Sequence, residues 1–404
     1  MTPAGSGYAL FRQSRFRNAW AANLVFILGL EMLTLGISWT MTSLTTSPMM
    51  VSMVQTASSL PFILFAIPFG LASDSVGHRR VMLASQVWML AVTAFLAVVA
   101  LSGGWHLTPK LLLFSTFLIG VGVVVQKSSW KPLLYQLVPR SGVVAALSFN
   151  SLSSDIGRAA GPVLGGYLMG FFGTAVVLFS SAVSHLYLIA VLLTMPRDRA
   201  AVPDDSEDSR SLRRALELIR QSPRLYGPMA RIAMVMVTSG TLLGLLPLEA
   251  KENIQTGPIG YGHLLAALSI GSAVGAVLAP VLRRHLPLSV LSVGAVVVVG
   301  LSVIGVSQWD SMLLDAIFLF FYGCAWSIVT ITHLSSVQVA SPENARGLTN
   351  AVFALAVQGG MALGSFGFGV AAQHIGVSRS ILIAGFVALG SLLFVRRLPV
   401  TDAD

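Results

Sequence analysis

Apolar residues recur along this chain in blocks of about 18 or more, from end to end, separated by short polar turns. Twelve blocks can be marked: 20–41, 51–72, 81–101, 111–133, 143–170 and 175–195, then 228–249, 263–282, 288–306, 312–337, 348–374 and 380–394. A helix rises about 1.5 Å per residue, so such a block crosses a hydrocarbon core of about 30 Å. The pattern predicts an all-α membrane protein of twelve transmembrane helices. The one long hydrophilic stretch, 196–227, falls between the sixth and seventh blocks. It divides the chain into two pseudo-symmetric six-helix bundles, 1–195 and 228–404.

Composition agrees with the pattern. Of 404 residues, 55% are hydrophobic and 10% charged, and the mean hydropathy is +0.80, which excludes an ordinary soluble domain. Residues 1–17 are polar and then basic, and the first apolar block is too long for a signal peptide, so no cleavable leader is expected. The single cysteine, Cys324, sits inside a block, so redox compartment is not legible.

The net charge of +9 changes meaning once the positions are read. Arg12, Arg15, Arg17, Arg79, Arg80, Arg140, seven arginines from Arg197 to Arg224, Arg283, Arg284, Arg346, Arg396 and Arg397 fall on one side of the alternating blocks. Lys110, Lys251 and Arg379 fall on the other. The positive-inside bias then places both termini in the cytoplasm, in a bacterial inner membrane. It also accounts for the charge without nucleic-acid binding. Within the hydrophilic stretch, 203–209 is acidic and reads as a linker. Residues 211–221 set Leu212, Leu216 and Ile219 on one face and Arg213, Arg214 and Arg220 elsewhere. That suits either a short helix on anionic membrane lipid or a solvated connector.

The halves echo each other: Gly70 to Arg79 and Gly275 to Arg284 have equal spacing at the ends of the second and eighth blocks. Internal six-helix repeats are a common plan of secondary transporters, with the substrate site near the midplane. There is no phosphate-binding loop and no catalytic constellation such as Gly-x-Ser-x-Gly, so neither ATP-driven transport nor a membrane enzyme is favoured.

The turn after the second block reads Gly70-Leu-Ala-Ser-Asp74-Ser-Val-Gly77-His-Arg79-Arg80. It resembles the signature loop of the major facilitator superfamily, which implies a gating role for Gly70, Asp74, Gly77, Arg79 and Arg80. In the second copy Ala279 stands where Asp74 stands in the first. The fifth block carries Gly157-x-x-x-Gly161-Pro162-x-x-Gly165-Gly166. This is similar to the superfamily's antiporter motif, and the resemblance implies export rather than import. The alternative is a packing seam without directional meaning. Further pieces resemble the efflux branch that includes enterobactin and macrolide exporters. They are Leu44–Pro48, Leu137–Arg140, Asn150 with Arg158, Ser222–Arg224 and Gly360–Ser365.

Charges within the blocks are costly, so they face a cavity or a partner. Glu31, Lys127, Lys131, Asp155 and Arg158 are so placed, and Asp315 lies near the end of the tenth block. Asn23, Glu31, Thr34 and Ser38 form a polar stripe on the first block; Tyr322, Trp326, Thr330 and His333 form one on the tenth. The resemblance implies that helices one, four, seven and ten line a central cavity. Substrate-contact candidates are therefore Asn23, Thr34, Ser38, Trp39, Lys127, Trp130, Lys131, Arg158, Tyr322 and Trp326. A carboxyl in a partly dehydrated cavity holds its proton more tightly, so Glu31, paired with Lys127, is the favoured proton carrier; Asp155 is the alternative, disfavoured because Arg158 three residues on would hold it ionised. A static ion pair is the competing reading of Glu31 and Lys127. His333 at a helix end reads as structural, and the scattered methionines as filler rather than a metal path.

The reading that follows is a monomeric secondary transporter that exports an amphipathic small organic molecule, drug-like or siderophore-like, by alternating access and proton antiport. It needs no cofactor and no metal. The alternatives are a proton-coupled importer of a metal chelate or nutrient, and a non-transporting sensor of the same fold.

Overall fold

The computed structural model describes residues 10–102, 106–195, 217, 219–342 and 345–394, leaving aside the side chains of residues 67, 71, 72 and 74. The linker, most of the 211–221 segment and the side chain of Asp74 therefore lie outside the described residues.

Among the described residues there are twelve long helices and no strand. In chain order they are α1 Ser14–Leu44, α2 Pro48–Val76, α3 His78–Leu101, α4 Pro109–Gln136, α5 Val143–Phe172 and α6 Thr174–Thr194, followed by α7 Pro223–Leu248, α8 Pro258–Leu282, α9 Leu288–Val306, α10 Met312–Ala340, α11 Arg346–Ile375 and α12 Val377–Gly390. Eleven are long and apolar enough to cross a membrane. The exception is α5, where Asn150, Ser151, Ser153, Ser154, Asp155 and Arg158 dilute the apolar run.

The packing is that of a protein solvated by lipid. Large apolar side chains such as Phe171, Val277 and Leu313 point outward and are about 70% exposed (71%, 72% and 71%). Polar ones such as Ser129, Thr238, His185 and Ser292 are buried inside. A helix in hydrocarbon satisfies its own backbone, so the periphery needs no polar face and the interior can hold hydroxyls that bond to carbonyls one turn back.

The chain divides into two compact units. The first contains 1–40 and 64–203, the second 41–63 and 204–404. In the first, α3 packs on α4 and α6, and α5 packs on α1 through glycines. In the second, α8 packs on α10, α7 on α11, and α9 on α10 and α12. Residues 41–63 join this second unit: the Thr56 and Ser365 hydroxyls are 2.7 Å apart, and Gly369 and Gly244 leave room for Ser52.

The repeat is visible in the turns. Gly173 joins α5 to α6 at φ 83°, ψ 177°, and Gly376 joins α11 to α12 at φ 89°, ψ 164°. Only glycine adopts that conformation without strain. Counting back from each turn by the same steps gives Gly166, Gly161 and Gly157 in α5, and Gly369, Gly364 and Gly360 in α11.

Candidate functional site

The first unit contains a cavity of about 500 Å³. One wall is α1, which contributes Asn23, Phe26, Ile27, Leu30 and Glu31. A second is α4, with Val123, Gln126, Lys127, Trp130 and Lys131; α5 adds Asn150, Ser154 and Arg158. On each helix these positions are spaced by three, four or seven residues, or lie beside such a position, so they share a face. The lining is mixed, with an apolar strip from α1 that includes the Phe26 ring, the Trp130 indole and four ionisable groups.

Hydrogen bonds among these lining residues brace the three helices. The Asn23 amide donates to Ser153 Oγ at 3.3 Å and to Asn150 Oδ1 at 3.4 Å. Gln126 Nε2 donates to Asn23 Oδ1 at 3.3 Å, and the Trp130 indole donates to Asn150 Oδ1 at 2.6 Å. Asn23 is 1% exposed and Trp130 5%, so these bonds compete little with water. The network fixes the Trp130 ring and joins α1, α4 and α5 at one level. Nearer the N-terminal end of α1, Trp20 Nε1 bonds to the Phe149 carbonyl at 2.8 Å, and the Phe11 ring packs edge-on against Phe149.

Glu31 lies in the field of Arg158 first and Lys127 second. Lys127 feels both Arg158 and Glu31, and Arg158 also acts on Asp155. Glu31, Lys127 and Asp155 thus all lie in the field of Arg158. With Lys131 on the same wall, the cavity lining carries three cationic side chains against one carboxylate. That excess, next to the Trp130 ring and the α1 strip, suits a ligand with an acidic group and a flat apolar body.

The antiporter-like motif sets the position of this group. Gly157, Gly161 and Gly165 face α1: a Cβ added at Gly157 would meet Ile27, at Gly161 Glu31, and at Gly165 Met32. The glycines let the α5 backbone approach α1 where Glu31 projects. Pro162 sits inside α5, which continues through it. Lacking an N–H, it frees the carbonyl of Arg158 from its helix partner.

In the gating-like loop, Gly77 precedes α3 at φ 103°, and Gly70 has open space around it. The Arg79 guanidinium donates to the carbonyls of Leu192 at 2.7 Å and Leu193 at 3.0 Å, which tethers the start of α3 to the end of α6. A cation at a helix C-terminus meets carbonyls left without helix partners. Arg80 is exposed.

The remaining candidates lie elsewhere. Thr34 and Ser38 are further along α1, Thr34 exposed with its hydroxyl on the Leu30 carbonyl. Trp39 is buried, and Asp155 is half-buried on α5. Tyr322 and Trp326 belong to the second unit, Tyr322 being buried. His333 is buried, with Nδ1 donating to the Val329 carbonyl at 2.7 Å and Nε2 at 3.3 Å from Ser292 Oγ. Sequence reasoning missed Arg231, a 5% exposed arginine on α7 whose terminal guanidinium nitrogens have no partner among the described residues. A lone basic residue inside an apolar run was the available signal.

The chain is 24% identical over 351 residues to an uncharacterized MFS-type transporter, YfiS, of Bacillus subtilis strain 168, covering 84% of this chain and 82% of that protein. It is 20% identical over 386 residues to macrolide efflux protein A of Streptococcus pyogenes, covering 92% of each. The crystal structure of the nucleoside transporter NupG superposes with a TM-score of 0.77 at 14% identity, over 95% of this chain and 99% of that one, which shows a shared fold. The family described as transmembrane secretion effector matches residues 5–404. The chain therefore belongs to the transmembrane secretion effector family of the major facilitator superfamily, in its efflux branch, and is a membrane transporter rather than an enzyme.

Proposed function

We propose that the chain exports an amphipathic small organic molecule carrying an acidic group, by alternating access between its two six-helix halves, in exchange for protons. The observation that carries this reading is the cavity of the first unit. Lys127, Lys131 and Arg158 offer cationic donors, Trp130 a fixed ring, and Asn23, Gln126 and Asn150 a rigid polar floor. Glu31 is the proton carrier: for exchange, proton and substrate occupy the cavity in turn, the proton leaving Glu31 to the cytoplasm before the substrate binds from that face, and Glu31 taking up a proton again once the substrate has left on the outer side. Outward direction is supported by the filled antiporter-like motif packed on Glu31, and by the efflux named in the relative from Streptococcus pyogenes. The arginine distribution supports cytoplasmic termini in an inner membrane. Monomeric action fits a substrate cavity contained within one unit.

The test is transport by the purified chain in proteoliposomes, using a labelled panel of acidic and neutral amphipathic compounds and imposed pH gradients of both signs. An exporter moves acidic members from the cytoplasmic face against proton entry. Movement in the same direction as protons would identify an importer, and binding without movement a sensor.

A further inference from the structure

The charged residues outside this cavity include two buried acids at one end of the second unit. Glu249 is 1% exposed and Asp315 0%. Glu249 opens a π-helical turn, Glu249–Asn253, that ends α7, with Pro247 just before it. Widened turns of this kind interrupt regular helix bonding and recur at functional sites. Asp315 lies in the first turn of α10. Arg283 and Arg284 lie past the far end of α8, at the opposite end of the unit.

The two acids differ in their surroundings. Glu249 accepts from Asn253 Nδ2 at 2.7 Å and from the Ser378 hydroxyl at 3.2 and 3.3 Å. Neither Asp315 oxygen has a hydrogen-bond partner among the described residues. The charged groups acting on the pair are all acidic: Glu249 and Asp310 on Asp315, Asp310 and Glu252 on Glu249. Lys251, in the same turn, gives its ammonium to the Thr42 carbonyl. The other bases at this end, His263, His374 and Arg379, are not among the groups acting on either acid. The α10 N-terminus offers a partial positive charge, yet none of its N–H groups reaches the Asp315 oxygens.

A buried carboxylate without donor or counter-charge is strongly disfavoured, and a second carboxylate nearby disfavours it further. The arrangement needs a cation. A transition metal needs several side-chain ligands, and among the described residues no group of three His, Cys, Asp or Glu is placed to hold one. A proton needs neither space nor further ligands. We infer that Glu249 and Asp315 form a proton-binding site in the second unit, separate from Glu31. The bound proton sits on Asp315, the acid without donors, while Glu249 keeps its bonds to Asn253 and Ser378. This assignment does not depend on the role of Glu31.

Infrared difference spectra of the full chain in lipid nanodiscs, recorded between acidic and alkaline buffer, test it directly. A carboxylic-acid carbonyl band that titrates should persist in Glu31→Gln, shift its midpoint in Glu249→Gln, and disappear in Asp315→Asn. Asp315→Asn preserves shape and the neutral state, so the variant should unfold at the wild-type temperature. Asp315→Glu, which keeps the carboxyl, should retain the band. An unchanged band in Asp315→Asn would overturn the proposal, as would a response to sodium at fixed pH. Because the readout is protonation and not transport, its failure is distinct from failure of the export reading.

Discussion

Gly161 on α5 faces Glu31 on α1 so closely that a Cβ placed on Gly161 would lie 2.6 Å from the Cβ of Glu31 and 3.1 Å from the Leu28 carbonyl. The missing side chain is what allows a charged residue to project between two helices in near-backbone contact. Gly161→Ala should therefore force α5 away from α1 at the level of Glu31. Overpacking of this kind costs about 1–3 kcal/mol, and here it also moves the carboxyl relative to Arg158. Thermal unfolding should shift downward and transport should fall more than tenfold. Gly367→Ala, with open space around it on α11, should leave both within error.

Glu31→Gln separates proton coupling from binding. The amide keeps the size of the side chain and removes the ionisable carboxyl, the proposed proton carrier, from the field of Arg158 and Lys127. Transport driven by a pH gradient should be lost, while substrate binding, measured by fluorescence of the cavity tryptophan Trp130, stays detectable. Wild-type proton-driven rates in this variant would leave Glu31 as a static partner of Arg158.

Much of this arrangement was legible beforehand, for physical reasons that also mark where legibility stopped. Apolar block length is dictated by the bilayer, so the twelve helices could be read to within a few residues. The fifth block, 143–170, carries its helix as the others do, although its polar residues keep α5 from passing as a span by composition. Glu31, Lys127 and Arg158 stood out because ionisable groups in hydrocarbon are rare. The gating role implied for Arg79 names no partner; its partners are the backbone carbonyls of Leu192 and Leu193, which leave no trace in side-chain identity. The brace through Asn23, Gln126, Trp130 and Asn150 joins residues up to 127 positions apart, beyond any local pattern. The second glycine series, Gly360, Gly364 and Gly369, was hidden because Ser365 stands where Pro162 would be.

The polar brace should behave as a unit. Asn150→Ala strands the Trp130 indole and one Asn23 amide contact, and Asn23→Ala strands Gln126. Leaving a buried donor unsatisfied costs about 1–3 kcal/mol. Each single variant should lose that much stability, and the double variant should lose less than the sum, because both remove parts of one network. Additive losses would mean that the two asparagines act independently.

The turns at Gly173 and Gly376 offer a test of the repeat itself. Both hold a positive φ with an extended ψ, and neither has a heavy atom within 4 Å of the position a Cβ would take. Substitution therefore introduces no clash with neighbours, and any penalty is backbone strain alone. A non-glycine residue in this region costs about 1–3 kcal/mol. Gly173→Ala and Gly376→Ala should lower the unfolding midpoint by similar amounts, each through its own unit. Asparagine should do no better than alanine, since its tolerance is for the left-handed helical region and not for this extended one. If one turn accepts alanine freely while the other does not, the two halves do not share the same joint, and the common φ and ψ reflect coincidence rather than a repeated structural unit.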